Sequence, residues 1–397
     1  MSNNIKEVNI FEINAGWRNW YYLEIISAEG IKGYSELTES NGPKESLQKI
    51  TFEIIKKLDL SNYKNTNYIN RQLNSFNKQG AGGTISKCIA AINNALIDLN
   101  AKSQELSVVD FLGGALREKV PTYWSHCGTT RIRSINHLKN GTSKINSLQD
   151  FAKLGSEVTS SEFNTLKTNL MTLDPVEVCM PSYNAQDILS TPSLEKTLKD
   201  TSKIINELAN DGQNKILLDI GYNLTNSSIL NLAQIINNMK LGWLEVDLDN
   251  FNSINSFKDI LEVPICSGEN NVNFLQYFNL IRSKIAEIIS IDPSWNSIND
   301  ILRISQFANF YNQEITLHNH YSNLSTYIGL SIGQLIEKFS FLEVDVDDVA
   351  WKDNIIELPK IQDGHFINEN YTYGWGFKIN WEELNNHLNE VHNLKLS

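Results

Sequence analysis

Six residues carry the first chemical signal in this sequence: Asp219, Glu245, Glu269, Asp292, His318 and Glu343. They fall 26, 24, 23, 26 and 25 residues apart, each closing a short apolar run such as "KILLDIG", "GWLEVD" or "EITLHNH". One charge at one strand end is ordinary loop polarity. The same phase held through six successive runs is not, because packing has no use for a charge at that position. Asp219, Glu245 and Glu269 would repel one another unless a cation offset them. Their oxygen-only donor set suits Mg²⁺, with Mn²⁺ as the alternative ion.

His318 follows the run that neighbours the one ending in Asp292. A carboxylate on one imidazole nitrogen fixes the tautomer and raises basicity at the other, so His318 reads as a general base. Glu343 could donate a hydrogen bond to a substrate oxygen if protonated, or orient that oxygen if ionised. Lys167 closes "FNTLKTN" and offers either an amine of lowered pKa or a fixed positive charge for a carboxylate substrate. His320, two residues past His318, reads as scaffold. "HNH" invites a nuclease reading, but that needs a basic path for the nucleic-acid backbone. A zinc site on His318 and His320 lacks further His or Cys ligands at suitable spacing. The supported chemistry is metal-assisted removal of a proton next to a carboxylate.

Such a ring needs strands that end together. From Val120 onward eight short apolar runs alternate with helix-length segments, beginning with "VPTYWSH" and ending with "FSFLEVD". Near-continuous apolar strands separated by helices indicate a parallel sheet covered on its outside, and eight units indicate a closed (β/α)8 barrel. The expected fold class is therefore α/β, a TIM-type barrel with an N-terminal α+β domain. Residues 1–118 form that capping domain, with "YYLEIISAEGIKGYSEL" as a hairpin or meander and helical periodicity over 44–57 and 86–102. Residues 119–354 form the barrel, and 355–397 return to the first domain. Residues 170–198 read as a long insertion of the kind used for lids.

Composition narrows the class. With 41% hydrophobic residues and 21 glycines, the 397-residue chain is an ordinary globular protein. A formal charge of −12 argues against a duplex nucleic-acid partner, which requires a basic face. There is no basic-then-apolar leader and no apolar stretch of transmembrane length. Four scattered cysteines, Cys88, Cys127, Cys179 and Cys266, read as free thiols of a cytoplasmic protein.

These motifs resemble, in order and over essentially the whole length, the mandelate racemase and muconate lactonizing enzyme branch of the enolase superfamily. "GIKGYSE" and "CIAAINNALIDLNAKSQELSVVDFLGG" are similar to its capping domain; "LKTN", "LLDI", "WLEVD", "SGEN", "SIDPSWN", "TLHNH" and "FLEVD" are similar to its strand ends. The resemblance implies that Asp219, Glu245 and Glu269 ligate Mg²⁺, and that His318 with Asp292 is the catalytic dyad. Lys167 matches the first lysine of a Lys-x-Lys motif, and Glu343 the acid facing the substrate carboxylate. The segment near 14–22 matches the specificity loop, making Trp17 and Arg18 candidates to close over the substrate; Asn169, Asn223 and Asn319 are further candidate substrate contacts. Relatives are usually homodimers or octamers. "VDVDDVAWKD" is closest in look to the acid-sugar dehydratase-like members.

Two departures matter. Asn169 stands where many members carry a second catalytic lysine, and Gly221 removes a polar side chain after Asp219. An amide cannot act as an opposing base, which weakens two-base racemisation. The better expectation is dehydration of a sugar acid to a 2-keto-3-deoxy acid. A racemase or epimerase, or a non-catalytic sugar-acid-binding barrel, are the alternatives.

Overall fold

Strand-forming residues crowd the first forty positions, and in the computed structural model they make three antiparallel strands: β1 (Ile5–Asn14), β2 (Asn19–Ser27) and β3 (Lys32–Glu36). The structure describes residues 4–38, 44–77, 82–173, 178–179, 194–221, 229–246, 258–367 and 372–396. Three helices back this sheet: α1 (Lys44–Lys57), α2 (Thr66–Phe76) and α3 (Gly83–Ser103). The stripe Ile89, Ile92, Leu96 and Leu99 on α3 is buried in the capping core. Full burial of each such side chain contributes about 1.5–3 kcal/mol. Helix α2 adds to the two helices expected from periodicity. It buries only Ile69 and Leu73 and starts on an Asn65 cap, too thin a stripe to register as a period.

Eight parallel strands then close on themselves. They are β4 (Lys119–Trp124), β5 (Thr165–Asn169), β6 (Lys215–Asp219), β7 (Trp243–Glu245), β8 (Ile265–Ser267), β9 (Ile288–Ile291), β10 (Glu314–Leu317) and β11 (Phe339–Val344). Pairing of Leu342, Glu343 and Val344 with Thr122, Tyr123 and Trp124 joins the last strand to the first. A hairpin of β12 (Ile361–Gln362) and β13 (His365–Ile367) pairs with the start of β4. The chain then runs back, and β14 (Leu388–Lys395) adds to β1 of the first sheet, giving the order β14-β1-β2-β3.

Pleating explains how one barrel holds both an apolar plug and a charged ring, because residues two apart share a face. Tyr123, Leu217, Trp243, Cys266 and Ile288 pack inside the barrel as one cluster with Phe341. Tyr123, Trp243 and Phe341 meet pairwise at 5.7–6.0 Å between ring centroids. Two residues further along, Leu217 gives way to Asp219, Trp243 to Glu245 and Phe341 to Glu343. The plug shuts the barrel floor, and the charges lie directly above it.

The capping domain is tied to this charged end. Glu36, fully buried at the end of β3, accepts from Ser322 Oγ at 2.5 Å and Ser325 N at 3.2 Å, satisfying the start of the helix Asn323–Leu335. Trp295 Nε1 donates to Thr38 O at 3.1 Å, and Asn94 Nδ2 to Pro293 O at 3.0 Å. The first domain is thus seated over the carboxyl ends of β9 and β10.

Candidate active site

Asp219 and Glu245 are register partners on β6 and β7. Glu269 comes two residues past β8, after Gly268, whose φ of +121° and close approach leave no room for a side chain: a Cβ there would meet Ser290 O at 2.9 Å. Asn169 Nδ2 donates to Asp219 Oδ2 at 2.9 Å, and Gly221 N to Asp219 Oδ1 at 2.8 Å, so two donors aim this carboxylate. Gly221 takes φ +51° in that turn.

Lys167 is 2% exposed, with Nζ 2.9 Å from Glu245 Oε2 and 3.1 Å from Glu343 Oε1. Burial opposes its charge, but the two carboxylates outweigh burial and hold the amine well above its ordinary range. It is a fixed ammonium. Burial, with Asp219 and Glu343 nearby, pushes the Glu245 carboxyl up, although Lys167 opposes the rise. Glu245 Oε1 is buried with no hydrogen-bond partner. An orphaned carboxylate oxygen among oxygen donors is what a divalent cation would relieve, so these residues fit one.

His318 Nδ1 lies 2.8 Å from Asp292 Oδ2, and Asp292 Oδ1 accepts from Ser294 N at 2.7 Å and Trp295 N at 3.2 Å. The carboxylate is thereby fixed, and it fixes the ring with Nδ1 as donor. Nε2 is then the nitrogen left to exchange a proton, 3.6 Å from Glu269 Oε2 and 3.8 Å from Glu343 Oε2. Burial lowers the proton affinity of His318, but Glu269, Glu343 and Asp292 together raise it well above the imidazole range. Glu343 is fully buried; burial pushes it up, yet Lys167, His318 and His126 pull it well below the carboxylate range. Of the two states open to it from sequence, it is the ionised one, fixed by Ser125 Oγ and by Asn319 N at 3.0 Å.

A second constellation sits at the barrel mouth. Arg18 Nη2 reaches Asp348 Oδ2 at 2.7 Å and Asp345 Oδ2 at 3.5 Å, and Nη1 donates to His320 Nε2 at 3.3 Å. His126, past β4, places Nδ1 3.1 Å from Asp345 Oδ1, with its ring 4.5 Å from that of His320. Ligand atoms of His126, His320 and Asp345 all lie within 4.8 Å of one another. Because Arg18 donates to Nε2, the proton of His320 sits on Nδ1. That nitrogen lies 2.8 Å from Asp345 Oδ2 but poorly aligned for a hydrogen bond. This is a proton-bearing cluster rather than a lone-pair donor set for a metal.

Several expectations change here. Arg18, expected over the substrate, is buried and ion-paired, because the turn 15–18 between β1 and β2, shorter than the loop expected near 14–22, is docked onto the loops after β10 and β11. Trp17 packs edge-on against His137 with centroids 5.6 Å apart and carries the Arg18 guanidinium 4.9 Å from its ring. Asn319 turns its amide away to Thr326 Oγ1 and Glu343 O, so its side chain braces β11 instead of facing the barrel axis. Asn169 does face the site. Asn223 and most of the 170–198 insertion lie outside the described residues. His320, read as scaffold, belongs to the mouth cluster. His126 and Asp345 escaped the sequence reading because residues 126, 320 and 345 share no spacing; the one available signal was "SH" closing "VPTYWSH".

Comparison with known proteins agrees with this architecture. Residues 163–384 match the family model "Enolase C-terminal domain-like", and residues 17–113 match "Mandelate racemase / muconate lactonizing enzyme, N-terminal domain". A D-galactonate dehydratase family member, ManD, of Chromohalobacter salexigens is 23% identical over 303 residues, covering 72% of this chain and 71% of that protein. A D-xylonate dehydratase of Haloferax volcanii is 21% identical over 297 residues, covering 72% of this chain and 66% of that one. Among solved structures, a candidate L-alanine-DL-glutamate epimerase from Burkholderia xenovorans superposes with TM-score 0.88 at 24% identity, over 97% of this chain and 98% of its own; it has also been solved with magnesium and fumarate. The matched models span both domains, and the chain belongs to the mandelate racemase/muconate lactonizing enzyme family of the enolase superfamily.

Proposed function

We propose that this enolase-superfamily enzyme is a hydro-lyase that dehydrates a sugar acid to a 2-keto-3-deoxy acid. The observation that carries the reading is His318 as the base, with no second base offered by strand β5. His318 is held by Asp292 through Nδ1, leaving Nε2 to exchange the proton, while on β5 the ring-side groups are a fixed ammonium, Lys167, and an amide, Asn169. One-base chemistry suits elimination: the base takes the proton alpha to the carboxylate, and the beta hydroxyl departs as water. The sugar-acid dehydratase names of the two curated relatives favour the same reading.

Asp219, Glu245 and Glu269 would hold a divalent cation, Mg²⁺ by donor type, which supplies positive charge to stabilise a second negative charge on the substrate carboxylate. Lys167 adds a permanent charge next to Glu245. Ionised Glu343 lies close to His318 Nε2 and stabilises the imidazolium that forms there. A racemase or epimerase needs a second base on the opposite face, and neither Lys167 nor Asn169 supplies one. The test is a panel of mono- and dicarboxylic sugar acids incubated with Mg²⁺ and read as 2-keto acid formation. Turnover of at least one acid is expected. Alpha-carbon deuterium exchange with inverted configuration and no keto acid would favour the epimerase.

A further inference from the structure

We propose that His126 and Asp345 form a second imidazole–carboxylate pair that protonates the departing hydroxyl, a role resting on the dehydratase reading above. With Asn169 in place of a lysine, His318 would otherwise have to take one proton and give another within the same elimination. The strand order supplies a partner. Strand β11 lies between β10 and β4, so Glu343 on β11 and Asp345 just past its end are flanked by His318, which follows β10, and His126, which follows β4.

The two pairs are built alike. His318 Nδ1 meets Asp292 Oδ2 at 2.8 Å and His126 Nδ1 meets Asp345 Oδ1 at 3.1 Å; the imidazole side chains are 10% and 14% exposed, the carboxylates 0% and 1%. In each, Nδ1 is engaged and Nε2 is left to work. Ser125 connects them, its Oγ bonding both His126 Nδ1 and Glu343 Oε1. The Asp345 carboxyl, with the His320 and His126 rings against it, lies well below the carboxylate range although burial opposes this. His126 itself stands at φ +47°, a left-handed backbone that a non-glycine residue adopts at a cost. A residue placed there for packing alone would be better replaced by glycine or asparagine.

The proton account closes. The C2–H bond breaks and His318 Nε2 takes the proton. The C3–O bond breaks, its electron pair leaving with oxygen, which takes a proton from His126 Nε2 and departs as water. Ketonisation returns the His318 proton to C3 and passes the enol hydroxyl proton to His126. Both imidazoles end as they began.

The test uses the acid identified by the panel, its 3-deoxy-3-fluoro analogue, and the full-length His126→Gln enzyme with Mg²⁺. Fluoride leaves without protonation, so it needs no acid. Keto-acid formation from the natural acid should fall about 10²–10⁴-fold, while fluoride elimination stays within about fivefold of wild type. Asp345→Asn should show the same split in milder form. Loss of both reactions together, or water elimination within about threefold of wild type, would overturn the assignment. A wild type that dehydrates no acid sinks the dehydratase reading and this pair with it; one that dehydrates beside an unaffected variant sinks only the pair.

Discussion

His318 and His320 stand two residues apart at the end of β10, and their neighbours give them opposite proton affinities. Around His318 are carboxylates from the barrel itself, Asp292, Glu269 and Glu343, and its affinity rises well above the imidazole range against the effect of burial. Around His320, burial and the Arg18 guanidinium bring its pKa from 6.5 down to about 3, against the pull of Asp345. The strand ends of the barrel thus make a base, and the loop of the capping domain makes a neutral spacer from the same residue type. Burial lowers the proton affinity of both rings, and what separates them is the charge of their neighbours.

The largest effect expected from breaking this contrast comes at Asp292. Asp292→Asn keeps the size but removes the charge that orients His318, and turnover should fall about 10³-fold. Removing a carboxylate that raises the His318 pKa lowers it, so the acid limb of the kcat/KM profile should move to lower pH. An unmoved limb would mean that Asp292 does not set this ring's charge.

A smaller effect is expected on the other side. Arg18→Met breaks a buried 2.7 Å pair with Asp348, which keeps Lys352 at 3.0 Å. Leaving a buried charge short of a partner costs about 3 kcal/mol, read as a lower urea midpoint. The sign at His320 follows from linkage. Its folded pKa lies below the ordinary 6.5, so its contribution is complete above 6.5 and is lost as pH falls toward about 3, where the unfolded chain binds a proton the folded one refuses. Arg18→Met removes one cause of the depression. The loss of stability between these pH values should therefore be shallower than in wild type; an identical slope would return the depression to burial alone.

The contrast also marks what the sequence makes legible. The eight strands and the six charges at their ends were readable because the βα repeat prints a period of about 25 residues. The ionised state of Glu343 was not, since it depends on Lys167, His318 and His126 converging from three other strands. Arg18 was legible as a loop cation near the substrate end, yet its partners Asp348 and Asp345 lie more than 300 residues away and no local pattern pairs them. His126 shows the same limit: its partner is register-set across the closing strands β11 and β4. Asn319 misled because the residue next to a catalytic strand end points to the other face.

The central claim is that His318 is the base. The direct measurement is the His318→Asn enzyme assayed side by side for Mg²⁺ affinity, alpha-carbon deuterium exchange and keto-acid formation. Mg²⁺ affinity within about threefold of wild type, with exchange and keto acid both lost by about 10³-fold or more, is the expected result. Retained exchange with intact metal binding would contradict the account.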